Sequence, residues 1–135
     1  MFSEAWARAC QDLINANTAY REAARTWEGS ILLLMSDGRT SEGDRRVYLD
    51  LWHGECREAR IANAEDQAAA RYVLHGTDAA WRQVLTGELA PLMAVVTGKL
   101  RLAKGALMEL LPYAGAAKEL IAAASRVPTA FPIDP

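Results

Sequence analysis

A chain of 135 residues, 51% hydrophobic and 24% charged, has the composition of a water-soluble globular protein and enough apolar material for one core. Its formal net charge of −2 gives none of the basic surface that nucleic-acid binding needs. No apolar run approaches the roughly 20 residues of a transmembrane helix, and the N-terminal MFSEAWARACQDL carries acidic residues without an uninterrupted apolar stretch, which reads as cytoplasmic rather than exported. Cys10 and Cys56 lie far apart and outside any C-x-x-C pair. They read as two free thiols of a cytosolic protein, a disulfide being the alternative.

The first predicted helix opens after Ser3, a plausible N-cap. Trp6, Cys10, Leu13, Asn17, Tyr20 and Ala24 recur at three- and four-residue steps, with Arg8, Gln11, Asp12, Arg21 and Glu22 on the other side. Asn17 interrupts the stripe and, if buried, needs a hydrogen-bond partner. SILLLM (30–35) is continuously apolar over a strand's length, the pattern of a strand covered on both faces. SDGRTSEGD (36–44) is a polar turn. RVYLDLW (46–52) alternates Val47, Leu49 and Leu51 against Tyr48, Asp50 and Trp52. His53-Gly54 is a tight-turn signal, after which CREARIA (56–62) returns antiparallel as a polar edge.

NAEDQ reads as a second loop, leading to the strand ARYVLH. Thr77 or Asp78 caps the next helix, which carries Trp81, Val84 and Leu85 and stops at Gly87; Pro91 opens a further helix that ends at Gly98. KLRLAK places Leu100 and Leu102 inward, with Lys99, Arg101 and Lys104 outward. ALMELL is a short helical piece broken by Pro112, AGAAKELIAAASR an Ala-rich helix, and VPTAFPIDP an extended proline-rich tail. The order α, β, β, β, β, α, α, β, α, α, without repeat or linker, predicts one α+β domain over 1–135, its last strand re-entering the sheet beside the first.

No catalytic constellation is complete. His53-Gly54-Glu55 matches the H-x-E of zinc deaminases, but the chain lacks the P-C-x-x-C that would finish the metal site, so no metal is expected. His75 has no evident nucleophile beyond a conceivable Cys56, and no serine lies in a G-x-S-x-G elbow. Asp50 and Glu28 could act as acids if buried. The plainer reading pairs such a carboxylate with an arginine such as Arg46. Neither G-x-G-x-x-G nor G-x-x-x-x-G-K-[ST] occurs, so no nucleotide or other cofactor is implied. Lys99, Arg101 and Lys104 form a solvated edge or, on a sharper reading, meet anionic headgroups or an acyl carboxylate. The ordered feature that remains is apolar. Trp81, Val84, Leu85, Leu89, Leu92, Met93 and Val96 lie on consecutive helices, followed by Leu107, Met108, Leu110, Leu111, Leu120 and Ile121. Periodicity does not distinguish a filled core from a hollow one.

The stretch YVLHGTDAAWRQVLTGELAPLMAVVTGKLRLAKG (72–105) resembles the sterol carrier protein type two family. Trp81, VLTGELAP (84–91), Ala94, GKLRL (98–102) and Gly105 follow its turn-helix-G-x-x-x-P-x-x-A-x-x-x-G-K-L pattern. YLDLWHGECREAR (48–60) corresponds to its second and third strands. WEG (27–29) and AAKEL (116–120) look like its bacterial stand-alone members. The resemblance implies a mixed five-stranded sheet with helices on one side and an apolar tunnel between them. It further implies non-catalytic binding of sterols, fatty acids, fatty acyl-coenzyme A or phospholipids. Leu89 to Val96 and Leu107 to Leu111 then resemble tunnel walls, and the expected lining is Trp81, Val84, Leu85, Leu89, Leu92, Met93, Val96, Leu107, Leu110, Leu111 and Ile121. The end Ile133-Asp134-Pro135 is not a peroxisomal SKL-type signal. Competing readings are a homodimeric interaction module and a small acyl-thioester hydrolase using Asp50 or His75. A homodimer and transient membrane contact are both compatible with a lipid-binding cavity.

Overall fold

The computed structural model describes residues 3–36 and 44–127. Most of the turn expected over 36–44 and of the tail expected over 127–135 lies outside these residues. Helix α1 (Glu4–Ala16) is capped by Ser3, whose Oγ accepts from Trp6 N–H at 3.1 Å. The expected continuous first helix is in fact two, because Asn17 leaves helical geometry and restarts the chain as α2 (Thr18–Ala23). Its Oδ1 accepts from Tyr20 N–H at 3.0 Å and its Nδ2 donates to Glu119 O at 3.3 Å. The polar residue in the apolar stripe is thus a capping residue, and it ties the N-terminal helices to the C-terminal one.

Strands β1 (Glu28–Ser36), β2 (Arg45–Trp52) and β3 (Glu55–Ile61) form an antiparallel meander. His53 and Gly54 both take positive φ (51° and 86°), the geometry of a two-residue hairpin turn whose twist matches its strands. Strand β4 (Tyr72–Thr77) then pairs parallel to β1, Ile31 opposite Tyr72. The last strand, β5 (Arg101–Lys104), lies antiparallel to β4 and not beside β1 as expected, giving the order β3-β2-β1-β4-β5. Both edges of β1 are already taken by β2 and β4, so β5 can add only at the outer edge of β4.

Alternation of side chains divides the sheet cleanly. Leu33, Met35, Val47, Leu49 and Leu51 point to one face, where α1, α2, α4 (Asp78–Leu85), α5 (Pro91–Val96), α6 (Leu107–Leu110), a single 3₁₀ turn (Leu111–Tyr113) and α7 (Ala114–Ser125) build the main core. Leu32 and Leu34 point to the other face and form a small second cluster with Ala70 and Val73, which is why β1 is apolar at consecutive positions. NAEDQ, expected as a loop, instead opens a helix, α3 (Ala64–Ala69), that flanks this second face. Asn63 Oδ1 accepts from Asp66 N–H while Asp66 accepts from Asn63 N–H, a reciprocal cap that starts this short helix without an apolar stripe. Arg60 grips the Asp66 carboxylate at 2.6 and 2.7 Å and holds its pKa down to about 2.

The edge strand β3 is protected locally. A bulge opposite Asp50/Leu51 exposes the backbone of Cys56, and Asn15 of α1 answers both groups: Oδ1 accepts from Cys56 N–H at 2.8 Å and Nδ2 donates to Cys56 O at 3.0 Å. Cys10 and Cys56 are free and buried together in the main core, where desolvation pushes each thiol up to about 12. A thiol with so little thiolate is a poor nucleophile. Neither cysteine should therefore react with a disulfide reagent in the native protein at about pH 8, below the ordinary thiol pKa, while both should react in denaturant. Rapid native labelling of either would contradict their placement.

Candidate functional site

Between the inner face of the sheet and helices α2, α5, α6 and α7 lies a hollow of about 70 Å³. The sheet supplies Ile31, Leu33, Leu51, Tyr72, Leu74 and, just before β5, Leu100. Trp27, Trp81, Leu92, Val95, Leu110, Tyr113 and Ile121 supply much of the opposite wall. Four of the aromatic residues turn their polar atoms away from the hollow. Trp27 Nε1 donates to Gly29 O at 2.9 Å and Trp81 Nε1 to Leu34 O at 3.0 Å. Tyr72 Oη donates to Glu109 at 3.2 Å, and Tyr113 Oη shares a hydrogen bond with Thr26 Oγ1 at 3.0 Å. Trp27 packs edge-on against Tyr113 with ring centres 4.8 Å apart and tilted against Tyr72 at 5.1 Å, forming one end of the hollow. Gly105 makes room for this end: a Cβ there would collide with the Tyr72 ring, and its φ of +101° disfavours any other residue.

The expected lining residues divide into three groups. Trp81, Leu92, Leu110 and Ile121 stand on the hollow. Val84, Leu85 and Leu89, again with Ile121, line a second depression of about 830 Å³ between the α4–α5 connection and α7. Met93 and Val96 project to solvent from the outer side of α5, 52% and 59% exposed, and Leu111 is also turned outward; Leu107 is part-buried but lies on neither wall. A six-residue helix has only one strip to bury, and Ala94 with Leu92 and Val95 occupies it. What helical periodicity missed is the sheet half of the wall. The signal for it was the alternation that sets Ile31 with Leu33 and Tyr72 with Leu74.

The polar candidates lie elsewhere. Asp50 is held by Arg57 across the hairpin at 2.9 and 3.2 Å, not by Arg46, which reaches Gln67 and Asp44 instead. Asp50 and His75 share the outer face of the sheet, away from the hollow, and Arg101 stands 3.3 Å from His75 Nδ1. His53 meets Glu28 at 2.6 Å and stacks on Trp52. Lys104 donates to Ala68 O on the α3 side, so the basic edge expected from KLRLAK does not overlook the cavity. Among the described residues, no group of three or more His, Cys, Asp or Glu gathers as a metal site would require, and no helix is long and apolar enough to cross a membrane.

A twisted mixed sheet, helices banked on one face and a carbon-lined hollow between the two layers define the class of protein to which sterol carriers belong. The sequence profile of the SCP-2 sterol transfer family matches residues 9–117, and the chain is a member of that family. It is similar to a crystal structure of sterol carrier protein 2, with 43% identity over 95% of this chain and 99% of the other and a TM-score of 0.85. It is also similar to a conserved hypothetical protein of Thermus thermophilus, described as possibly a sterol carrier protein, with 41% identity over 96% and 91% of the two chains and a TM-score of 0.84. The apo sterol carrier protein 2 of Yarrowia lipolytica shares the fold at 20% identity, covering 88% of each chain with a TM-score of 0.59. No curated protein sequence matches.

Proposed function

We propose that this protein carries an apolar lipid, an acyl chain or a sterol, between its sheet and its helices without chemically altering it. The observation that supports this reading most is the almost wholly apolar lining of the hollow, where the Trp27 and Trp81 indoles and the Tyr72 and Tyr113 hydroxyls spend their hydrogen bonds outside. Such a wall has nothing to offer a polar molecule and removes apolar surface from water. At about 0.8 kcal/mol per buried methylene, a dozen methylenes give roughly 10 kcal/mol before the entropy of binding is charged against them. Micromolar affinity therefore requires no polar contact, and selectivity among chains of similar length is low.

The hollow of about 70 Å³ is smaller than the roughly 300 Å³ at which ligand pockets begin, so a long guest must press the walls apart. The walls that yield most readily are α5 and α6. Each buries a single residue, Ala94 and Leu110, and neither has a side-chain N-cap bond. Native mass spectrometry of the purified protein, followed by organic extraction, tests the reading. A retained or reloadable long-chain lipid at one per chain is expected. Failure of both a fatty acid and a sterol to bind at tens of micromolar would reject it.

A further inference from the structure

The interior of the hollow is apolar, but one stretch of its rim is not. Arg71 Nη2 donates to Glu109 Oε2 at 2.9 Å, Tyr72 Oη donates to the same oxygen at 3.2 Å, and Arg71 Nε donates to Tyr72 Oη at 3.1 Å. Tyr72 is buried and its ring is part of the hollow's wall, so this triangle stands where the apolar lining ends. A guanidinium and a hydroxyl converging on one carboxylate oxygen form a seat for a carboxylate.

The two sides of that seat are not equally fixed. Arg71 and Tyr72 belong to the sheet side. Arg71 N–H donates to Ser30 Oγ at 3.1 Å, its stem fills the space a side chain at Gly29 would occupy, and its guanidinium lies 5.5 Å from the centre of the Tyr72 ring. Glu109 belongs to α6, a four-residue helix whose Met108 is 76% exposed. The Arg71–Glu109 pair is itself about half exposed, so its net contribution to stability is small and it is readily exchanged. The movement of α6 that would enlarge the hollow is also the movement that withdraws Glu109 from Arg71 and Tyr72.

We infer that Glu109 is an internal stand-in for the head of the ligand, and that Arg71 and Tyr72 receive the carboxylate of a long-chain fatty acid once α6 swings out. The inference rests on the lipid-carrier reading and adds to it a preference: acids are taken over neutral chains of the same length. Nothing is made or broken except hydrogen bonds and one ion pair, the ligand's carboxylate replacing that of Glu109.

The test is a calorimetric titration of the full chain and two variants, Arg71→Gln and Glu109→Gln, with dodecanoate and with dodecanol. Thermal unfolding of each variant checks that it is folded. The wild type should prefer the acid by about tenfold, the scale of a charge-assisted hydrogen-bond pair at a partly solvated rim. Arg71→Gln should abolish that preference while dodecanol binds at least as tightly as to the wild type. Glu109→Gln should tighten both ligands by a similar small factor, because α6 then opens without giving up the ion pair to Arg71, and should keep the acid preference. If dodecanol binds and the acid-to-alcohol ratio is the same in all three proteins, the seat is overturned and the carrier reading stands. If the wild type binds neither, both fall.

Discussion

Leu92→Asp should weaken binding of a fluorescent fatty acid by at least about a hundredfold, while Met93→Asp, one residue along, should leave it unchanged within about twofold. Leu92 stands on the hollow and Met93 is 52% exposed on the opposite side of α5. An ionised carboxylate set against hydrocarbon loses its hydration with no partner in return, a cost of several kcal/mol that cannot coexist with an alkyl guest. The same group at position 93 remains in water. Helical spacing alone places both residues among the lining. Only the packing of α5 tells them apart, so the pair of variants reads the wall directly. Equal losses at both positions would mean that the guest lies along the outside of α5 and not between the layers.

Trp81→Ala should cost about 3–5 kcal/mol, a large share of the roughly 5–15 kcal/mol by which a domain of this size is stable, and lower its denaturation midpoint accordingly. Trp81 is 1% exposed, and its indole fills the junction of α4 with β1 and β4. Its Nε1 closes the Leu34 carbonyl at 3.0 Å, and it passes so near Gly76 that a Cβ there would stand 3.3 Å from the indole nitrogen. Truncation removes a large apolar volume together with the hydrogen bond to the Leu34 carbonyl. Trp81→Phe should cost less, because it restores most of the volume and loses only the hydrogen bond. Chemical denaturation of the two variants separates these contributions, and equal midpoints for wild type and Trp81→Ala would contradict the role given to this side chain.

Where the sequence was legible, its signals were local. The alternation in RVYLDLW put Val47, Leu49 and Leu51 on one face, and all three are buried there. His53-Gly54 marked the hairpin because a two-residue turn needs positive φ. Thr77, Gly87, Pro91 and Gly98 bounded two helices through capping and backbone chemistry that operates within a few residues. Two local signals ran against the apolar pattern. Asn17 broke a helix where the apolar stripe continued, since its side chain satisfied a new N-terminus better than helix continuation would. Asn63 and Asp66 made a helix of a polar segment that had no apolar face to announce it.

The partition of the candidate site is a different matter. Leu92 and Met93, or Leu110 and Leu111, are equivalent by composition and nearly so by spacing, yet one of each pair faces the hollow and the other faces water. Nothing in the sequence sets Arg71 apart from the basic run in KLRLAK, because what distinguishes it is Glu109, 38 residues away.

The order of residues was enough to say that strands and helices would form, roughly where each begins and ends, and, through the spacing from Trp81 to Gly105, which family they assemble into. Those properties follow from backbone geometry, capping and burial period, which act between neighbours along the chain. Packing was needed to put β5 outside β4, to choose which side chains bound the hollow, and to set Arg71 at its rim. Each of these depends on the distance between residues remote in sequence, and that distance is fixed only when the sheet and the helices come together.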